Sequence, residues 1–299
     1  MSKFQNIKQN ICLILILSVS VLFGCTNRKN IKVLSFNIGF EKADDSITIW
    51  DSKISTLERF FKRNNFDIIG LQDVSEEQFT ELQNILLNYS YFGTRITDYN
   101  AGKCCPVFYD KNNFTLLTKS QFWLPELSDT IIWKDNMQYI VNWGKLIFNK
   151  TGHMFYVFNT RFMDDDSFLQ EKSVSFLLKR VYEIAGNAPV IITGDFNFES
   201  NKRAYEIMTS KWDRYLSLED TESFVKKSKN ESSANDVIDK PANLDHIFIN
   251  GHFNVSPNKM YIIKENDFYI SNQYPISTKL NFLFDRRHWQ GKIVNMPWL

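Results

Sequence analysis

Residues 189–197 read Pro-Val-Ile-Ile-Thr-Gly-Asp-Phe-Asn (PVIITGDFN), a β-branched apolar run that ends in an aspartate and an asparagine. The run predicts a strand, and its polar end predicts the loop that follows. Rigid strands with exposed loops are where chemistry collects. Three other apolar runs carry the same kind of ending: SFN at 35–37, LQD at 71–73 and LDHIF at 244–248. Each is expected to place Asn37, Asp73 or Asp245 at the C-terminal end of a strand, as 189–197 places Asp195 and Asn197. Asp73 and Asp195 suit a hard cation such as Mg²⁺, which takes carboxylate oxygen and keeps waters that a phosphate can displace. Asn37 and Asn197 suit ligation or hydrogen bonds to a phosphoryl oxygen. Any one of them alone reads as a turn former or helix cap; four together read as a site.

Outward from this run, strand and helix patterns alternate. Strands are expected at 31–39, 66–74, 91–96, 106–110, 114–124, 143–149, 153–161, 243–249, 255–263 and 274–284. Trp50, Ile54, Leu57 and Phe61 fall at helical spacing over 47–64, and Phe79, Leu82 and Leu86 do so after the second strand. A longer helix carries Val174, Leu177, Val181 and Ile184 on one face, and a short one covers 200–210. Asn149–His153 is a hairpin turn by composition, and 226–242 is polar, aperiodic and expected to be an exposed loop. The pattern predicts one domain over 31–299: two packed, mostly antiparallel sheets flanked by helices, an α/β architecture. Residues 286–299 run past the last strand, with Trp289, Val294 and Trp298 expected to pack as a cap.

The chain has 299 residues, 43% hydrophobic, and a net charge of +1, which gives enough apolar material for a large core and no basic excess for nucleic acid. Nucleic acid is therefore not the expected partner, and nothing calls for more than a monomer. At the N-terminus, Lys3 and Lys8 precede an apolar run at 11–24 that ends at Cys25. That is the form of a secretory signal, short for a membrane span. The ending LFGC (22–25) resembles a bacterial lipobox, which implies lipidation of Cys25 after removal of the signal, residues 26–30 as a tether, and anchorage in the cell envelope. With Thr26 rather than Asp next, the outer membrane is the expected destination. An uncleaved anchor or a soluble secreted form are the alternatives. Cys104 and Cys105 are adjacent, make no disulfide framework, and read as buried strand residues.

In order, VLSFNIG (33–39), DIIGLQDV (67–74), PVFYDKNNFTLL (106–117), WGKLIFNKTGHMFYVFNTR (143–161), PVIITGDFN and LDHIFI (244–249) resemble the endonuclease/exonuclease/phosphatase superfamily. The resemblance covers about residues 31–283 and implies a four-layer α/β sandwich that cleaves phosphate esters with a divalent metal, usually Mg²⁺. It assigns Asn37 and Asp73 to the metal, with Asp73 in place of a Glu. It assigns Asp195 to the attacking water, Asn197 to the phosphoryl oxygen, and Asp245 to steadying a final His. Asn37, Asn159, Arg161 and Gln273 fall where substrate is held.

Two positions depart from that pattern. A His of the family stands as Arg161, after Asn159 and Thr160. The family's closing Ser-Asp-His stands as Ser271-Asn272-Gln273. Gln273 can hydrogen-bond phosphate but cannot carry a proton, and Arg161 keeps a fixed charge. Losing a positioned acid or base costs about 10² to 10⁴ in rate. Three readings stay open: a site with little hydrolysis that binds a phosphorylated or sugar-like ligand, a lipid or a protein partner; a divergent active Mg²⁺ phosphoesterase; and a surface interaction or structural protein whose cleft is filled. A salt bridge from Arg161 to Asp73 or Asp195 would speak against a metal site. His246 should point away from Asp245, and the run Asp164-Asp165-Asp166 reads as a solvated turn and N-cap before the helix near 167, with a stray metal ligand as the alternative.

Overall fold

The structure, a computed structural model, describes residues 30–39, 46–93, 103–124, 140–162, 166–210, 216–227, 244–261, 263–265, 268–269, 271 and 273–283. Cys25, Asp164, Asp165, Asn272 and the segment 286–299 lie outside the described residues. Strand β1 (Asn30–Asn37) leads into α1 (Ser46–Asn64), β2 (Ile68–Gln72), α2 (Glu76–Ile85), β3 (Tyr89–Phe92) and β4 (Val107–Asp110). Then follow β5 (Phe114–Trp123), β6 (Ile140–Phe148), β7 (His153–Arg161), α3 (Ser167–Ala185), β8 (Val190–Asp195) and α4 (Arg203–Met208). The remainder is β9 (Leu218–Asp220), a 3-10 helix (Thr221–Lys227), β10 (Asp245–Asn250), β11 (Phe253–Met260), β12 (Lys264–Glu265), β13 (Phe268–Tyr269) and β14 (Ile276–Phe282).

Two six-stranded sheets result, ordered β11-β14-β1-β2-β4-β3 and β5-β6-β7-β8-β10-β9. Each is antiparallel except for one central parallel pair, β1 with β2 and β7 with β8. Adjacent residues on the central strands face opposite layers, as the two-residue strand period requires. Val33 packs between the sheets while Leu34 packs toward α1 and α2, where Leu57, Phe61 and Leu82 meet it. In the second sheet Ile191 and Ile247 join the inter-sheet layer. Their neighbours Ile192 and Phe248 face Val174, Leu177 and Val181 of α3. The order is helix, sheet, sheet, helix: the expected four-layer sandwich.

Local signals place the helix ends. The Ser75 hydroxyl accepts the Gln78 N–H while Gln78 Oε1 accepts the Ser75 N–H, a capping box that starts α2. Asp166 accepts the Leu169 N–H at 3.0 Å and caps α3. The hairpin between β6 and β7 closes with Gly152 at φ 71°, its N–H on the Phe148 carbonyl at 2.7 Å.

Three expectations are corrected. Asp245 is the first residue of β10, not the last of a strand; because β10 runs antiparallel to β8, it still lies opposite Asp195. Cys104 and Cys105 are buried but outside any named strand, Cys104 forming only an isolated bridge with Val74. The 3-10 helix reaches Lys227, into the start of the expected loop, and β9 precedes it.

Candidate active site

The two sheets approach each other closely where the parallel pairs end, and one buried asparagine sets the distance. Asn159 on β7 donates to the carbonyls of Leu71, Cys105 and Pro106 at 2.8, 3.2 and 3.1 Å. Its Oδ1 accepts from Gln72 Nε2 at 2.7 Å and Thr193 Oγ1 at 2.9 Å. Gly70 makes room for this cross-sheet contact: a Cβ there would lie 2.2 Å from Thr193 Oγ1 and 2.9 Å from Asn159 Oδ1. Asn159 is fully buried, so the expectation that it holds substrate is corrected. It joins the sheets, and by joining them brings the ends of β1, β2, β7 and β8 to one place.

At that place stands Asp195, fully buried. Its Oδ2 accepts from Asn37 Nδ2 at 2.6 Å and from Gln273 Nε2 at 3.0 Å, and its Oδ1 accepts the Asn197 N–H at 3.2 Å. Burial pushes the Asp195 carboxyl above its ordinary range, opposed by the hydrogen bonds from Asn37 and Gln273, the Arg161 charge and the Asn197 N–H. Asp245, its register partner across β10, is also buried. Burial, then the charge of Asp195, raises the Asp245 carboxyl well above the carboxylate range and favours its neutral form. Ser271 fixes the last segment: its hydroxyl donates to the Asn37 carbonyl at 2.7 Å and accepts the Gln273 N–H at 3.1 Å. Gln273 thereby sits on the carboxylate as a neutral donor.

Asn197 lies at φ 51° and Asp73 at φ 60°, left-handed conformations that Asn and Asp tolerate better than most residues. The Asn197 side chain does not reach outward; its Nδ2 donates to the Phe162 carbonyl at 2.7 Å. Gln170 of α3 holds the Asn197 carbonyl at 2.9 Å. Asn197 therefore shapes the turn around Asp195 by both its backbone and its side chain.

Arg161, at the end of β7, reaches across to Asp73, with Nη1 2.8 Å from Oδ1, and lies with Nε 3.7 Å from Asp195 Oδ2. Lys103 takes the other Asp73 oxygen at 3.1 Å. Asn37 Oδ1 accepts the Gly39 N–H at 2.8 Å. A divalent cation needs carboxylate oxygen at about 2.0–2.2 Å with room for its waters. Here each oxygen of Asp73 already meets a cationic side chain, and the Asn37 oxygen already accepts a backbone N–H. Arranged this way, Asp73 and Asn37 do not fit a divalent ion, because a guanidinium stands between the two acidic side chains. A second group, Asp220, Glu222 and His246, brings one potential ligand atom from each residue within 4.8 Å.

Two sheets, one parallel pair in each, and polar strand ends gathered around Asp195 match the arrangement the sequence blocks imply. A sequence model described as "Endonuclease/Exonuclease/phosphatase family" matches residues 34–271. The chain belongs to the endonuclease/exonuclease/phosphatase family. That family is generally metal-dependent. Among curated proteins none matches the sequence. A crystal structure of the endonuclease/exonuclease/phosphatase from Bacteroides vulgatus is 23% identical, with a TM-score of 0.71, over 85% of this chain and all (100%) of that one. The mannosyl-6-phosphatase of Bacteroides thetaiotaomicron is 22% identical over 84% of this chain and 100% of that one, with a TM-score of 0.67. The catalytic domain of human Nocturnin, solved with a bound sulfate anion, is 18% identical over 85% and 94%, with a TM-score of 0.67. Likeness at these identities establishes the endonuclease/exonuclease/phosphatase fold.

Sequence reasoning placed Asn37, Asp73, Arg161, Asp195, Asn197, Asp245 and Gln273 together, and they are together. It missed Lys103, which has no motif and reaches Asp73 only through the fold. It also missed Gln170, whose helical position gave no sign that its amide would hold the Asn197 carbonyl. Gln72 lies inside the quoted LQD block but was not singled out, and its place opposite Asn159 depends on sheet packing that sequence spacing does not encode.

Proposed function

We propose that this protein is an envelope-anchored member of the family whose phosphoesterase site is degenerate, and that it binds a phosphorylated ligand with little or no hydrolysis. The observation that carries the reading is the Arg161 guanidinium between Asp73 and Asp195. It supplies fixed positive charge where metal-dependent chemistry would require a divalent cation. Gln273 adds to this, because the amide it donates to Asp195 neither ionises nor serves as an acid or base at neutral pH. What the site retains is a buried carboxylate, amide donors and two cationic side chains, an inventory suited to holding a polar ligand. A phosphorylated sugar is a reasonable first ligand to test, since a neighbour in structure is a mannosyl-6-phosphatase. Cys25, behind the apolar run at 11–24, supports lipid anchorage in the envelope, with the outer membrane as the destination.

A second reading, an active Mg²⁺-dependent phosphodiesterase or phosphatase, draws support from the short Asn37–Asp195 hydrogen bond of 2.6 Å and from the intact turn at Asp195. One panel separates the two. Lipid-free protein is incubated with sugar phosphates and a bis-aryl phosphodiester, with chelator or with Mg²⁺ or Mn²⁺. The first reading expects thermal stabilisation by a ligand without product; metal-dependent product that disappears in Asp195→Ala would establish the second. Incorporation of a labelled fatty acid, lost in Cys25→Ala, tests the anchor.

A further inference from the structure

His246 lies next to Asp245 in sequence but on the other face of β10, among the helix-side aromatics. It is 1% exposed and its partner Asp220 2%. His246 Nδ1 lies 2.8 Å from Asp220 Oδ2, and Nε2 lies 3.0 Å from the Phe198 carbonyl oxygen. A carbonyl oxygen can only accept, so Nε2 carries a proton. Asp220 accepts the Glu222 N–H on Oδ1 at 2.9 Å and is also hydrogen-bonded by Tyr205, the pattern of an ionised carboxylate. Against an ionised acceptor Nδ1 must donate as well. With both nitrogens protonated, the ring is a cation.

Its surroundings suit a cation. The rings of Phe198 and Phe248 stack on the imidazole at 5.7 and 5.3 Å, tilted 27° and 29°. Phe196 and Tyr205 close the other sides at 6.1 and 5.5 Å. Aromatic faces attract positive charge, more strongly where water is excluded. Burial alone pulls the imidazole downward, but the hydrogen bond and charge of Asp220, the Phe198 carbonyl and the charge of Glu222 more than offset it. Among the described residues, the ionisable groups facing the ring are Asp220 of β9, Glu222 of the 3-10 helix and Tyr205 of α4.

The cluster has the composition of a metal site but not its spacing. Two ligand atoms on a tetrahedral ion, with bonds of about 2.1 Å, stand about 3.4 Å apart. The 2.8 Å between His246 Nδ1 and Asp220 Oδ2 is a hydrogen-bond distance, and Nε2 is already committed to a carbonyl. We propose that His246 is an imidazolium at neutral pH and that it clamps the turn of residues 195–198, a proton rather than a metal ion tying the Phe198 carbonyl to Asp220. It is a positioning residue for Asp195 and Asn197. The carbonyl of Asn197 is held by Gln170 and that of Phe198 by His246, so two elements outside the strand fix the turn. The clamp holds whether or not the site turns over a substrate.

The test is long-range proton–nitrogen correlation on the ¹⁵N-histidine-labelled full chain at neutral pH. One histidine is expected to show both ring nitrogens protonated, its signals absent from His246→Gln and unchanged when Zn²⁺ is added. In Asp220→Asn the same ring is expected to fall to one protonated nitrogen, and the backbone amide of Asn197 to shift. If His246→Gln does not fold, the wild-type and Asp220→Asn spectra still decide. A bare nitrogen on His246 in the wild type, or stoichiometric retention of Zn²⁺ that depends on His246 or Asp220, would overturn the clamp.

Discussion

Replacing Arg161 with methionine keeps much of the side chain's volume and removes its charge. Asp73 would lose its 2.8 Å partner and keep only Lys103, whose side chain is 47% exposed. Asp195, with no exposure at all, would lose the guanidinium 3.7 Å from its Oδ2. Removing one partner of a buried ion pair costs about 3–5 kcal/mol. Arg161 is 20% exposed and Lys103 remains on Asp73, which discounts the cost below that range, to about 2–3 kcal/mol. For a domain of this size that lowers Tm by roughly 5–10 °C. The two carboxylates would then face each other without a guanidinium between them, an arrangement that a divalent cation can relieve. At a free metal concentration about 100 times Kd, binding returns about 2.7 kcal/mol, which restores most of the loss. Calorimetric melting of wild type and Arg161→Met, with chelator or with Mn²⁺, reads both effects. The wild type should melt at the same temperature in either, and the variant should be rescued by Mn²⁺, but not when Asp73→Asn is added. Equal stabilisation of wild type and variant by Mn²⁺, or an unchanged Tm for the variant in chelator, would refute the reasoning.

Other outcomes follow from the same contacts. Asn159→Leu removes its bonds to the Gln72 amide, the Thr193 hydroxyl and three carbonyls; Gln72, Thr193 and the Cys105 and Pro106 carbonyls keep other partners, so at about 1–3 kcal/mol for a buried group left unpaired a loss of about 1–3 kcal/mol is expected in denaturant unfolding. Gly70→Ala puts a Cβ 2.2 Å from Thr193 Oγ1 and should destabilise by about 1–3 kcal/mol, relieved in part by Thr193→Ala. Asp245 binds its proton more tightly folded than unfolded, so its contribution to stability is complete below the unfolded carboxyl value and is lost as pH rises toward the raised folded value. Asp245→Asn should therefore flatten the decline in stability with rising pH above the acid range, measured by unfolding across a pH series.

Much of the fold was legible because its central strands, covered on both faces, read as short continuous apolar runs that end in polar residues. Val33 and Leu34 read as one strand without showing which layer each would meet. The edge strand β9 has three residues, too few for a period, and exists by pairing with β10. At the site, motif order brought Asp195, Asp245, Asn37 and Gln273 into view. Sequence spacing did not show that Asn159 points between the sheets, since the twist and separation of the sheets decide which polar side chains face inward. Nor did it show that Asn197 turns its amide back to Phe162. His246 was expected to point away from Asp245 by strand alternation alone, and it does; its partner Asp220 lies on a strand too short to predict.

The central claim is that Arg161 and Gln273 hold this family member back from hydrolysis. It is tested most directly by kcat/KM for a bis-aryl phosphodiester and a sugar phosphate under Mg²⁺ titration, comparing wild type with an Asn272→Asp, Gln273→His, Arg161→His variant. Restoring an acid–base pair is worth about 10² to 10⁴ in rate. The expected result is no metal-dependent turnover by the wild type and turnover gained by the variant, lost again when Asp195→Ala is added. Mg²⁺-dependent turnover by the wild type, abolished by Asp195→Ala, would contradict it.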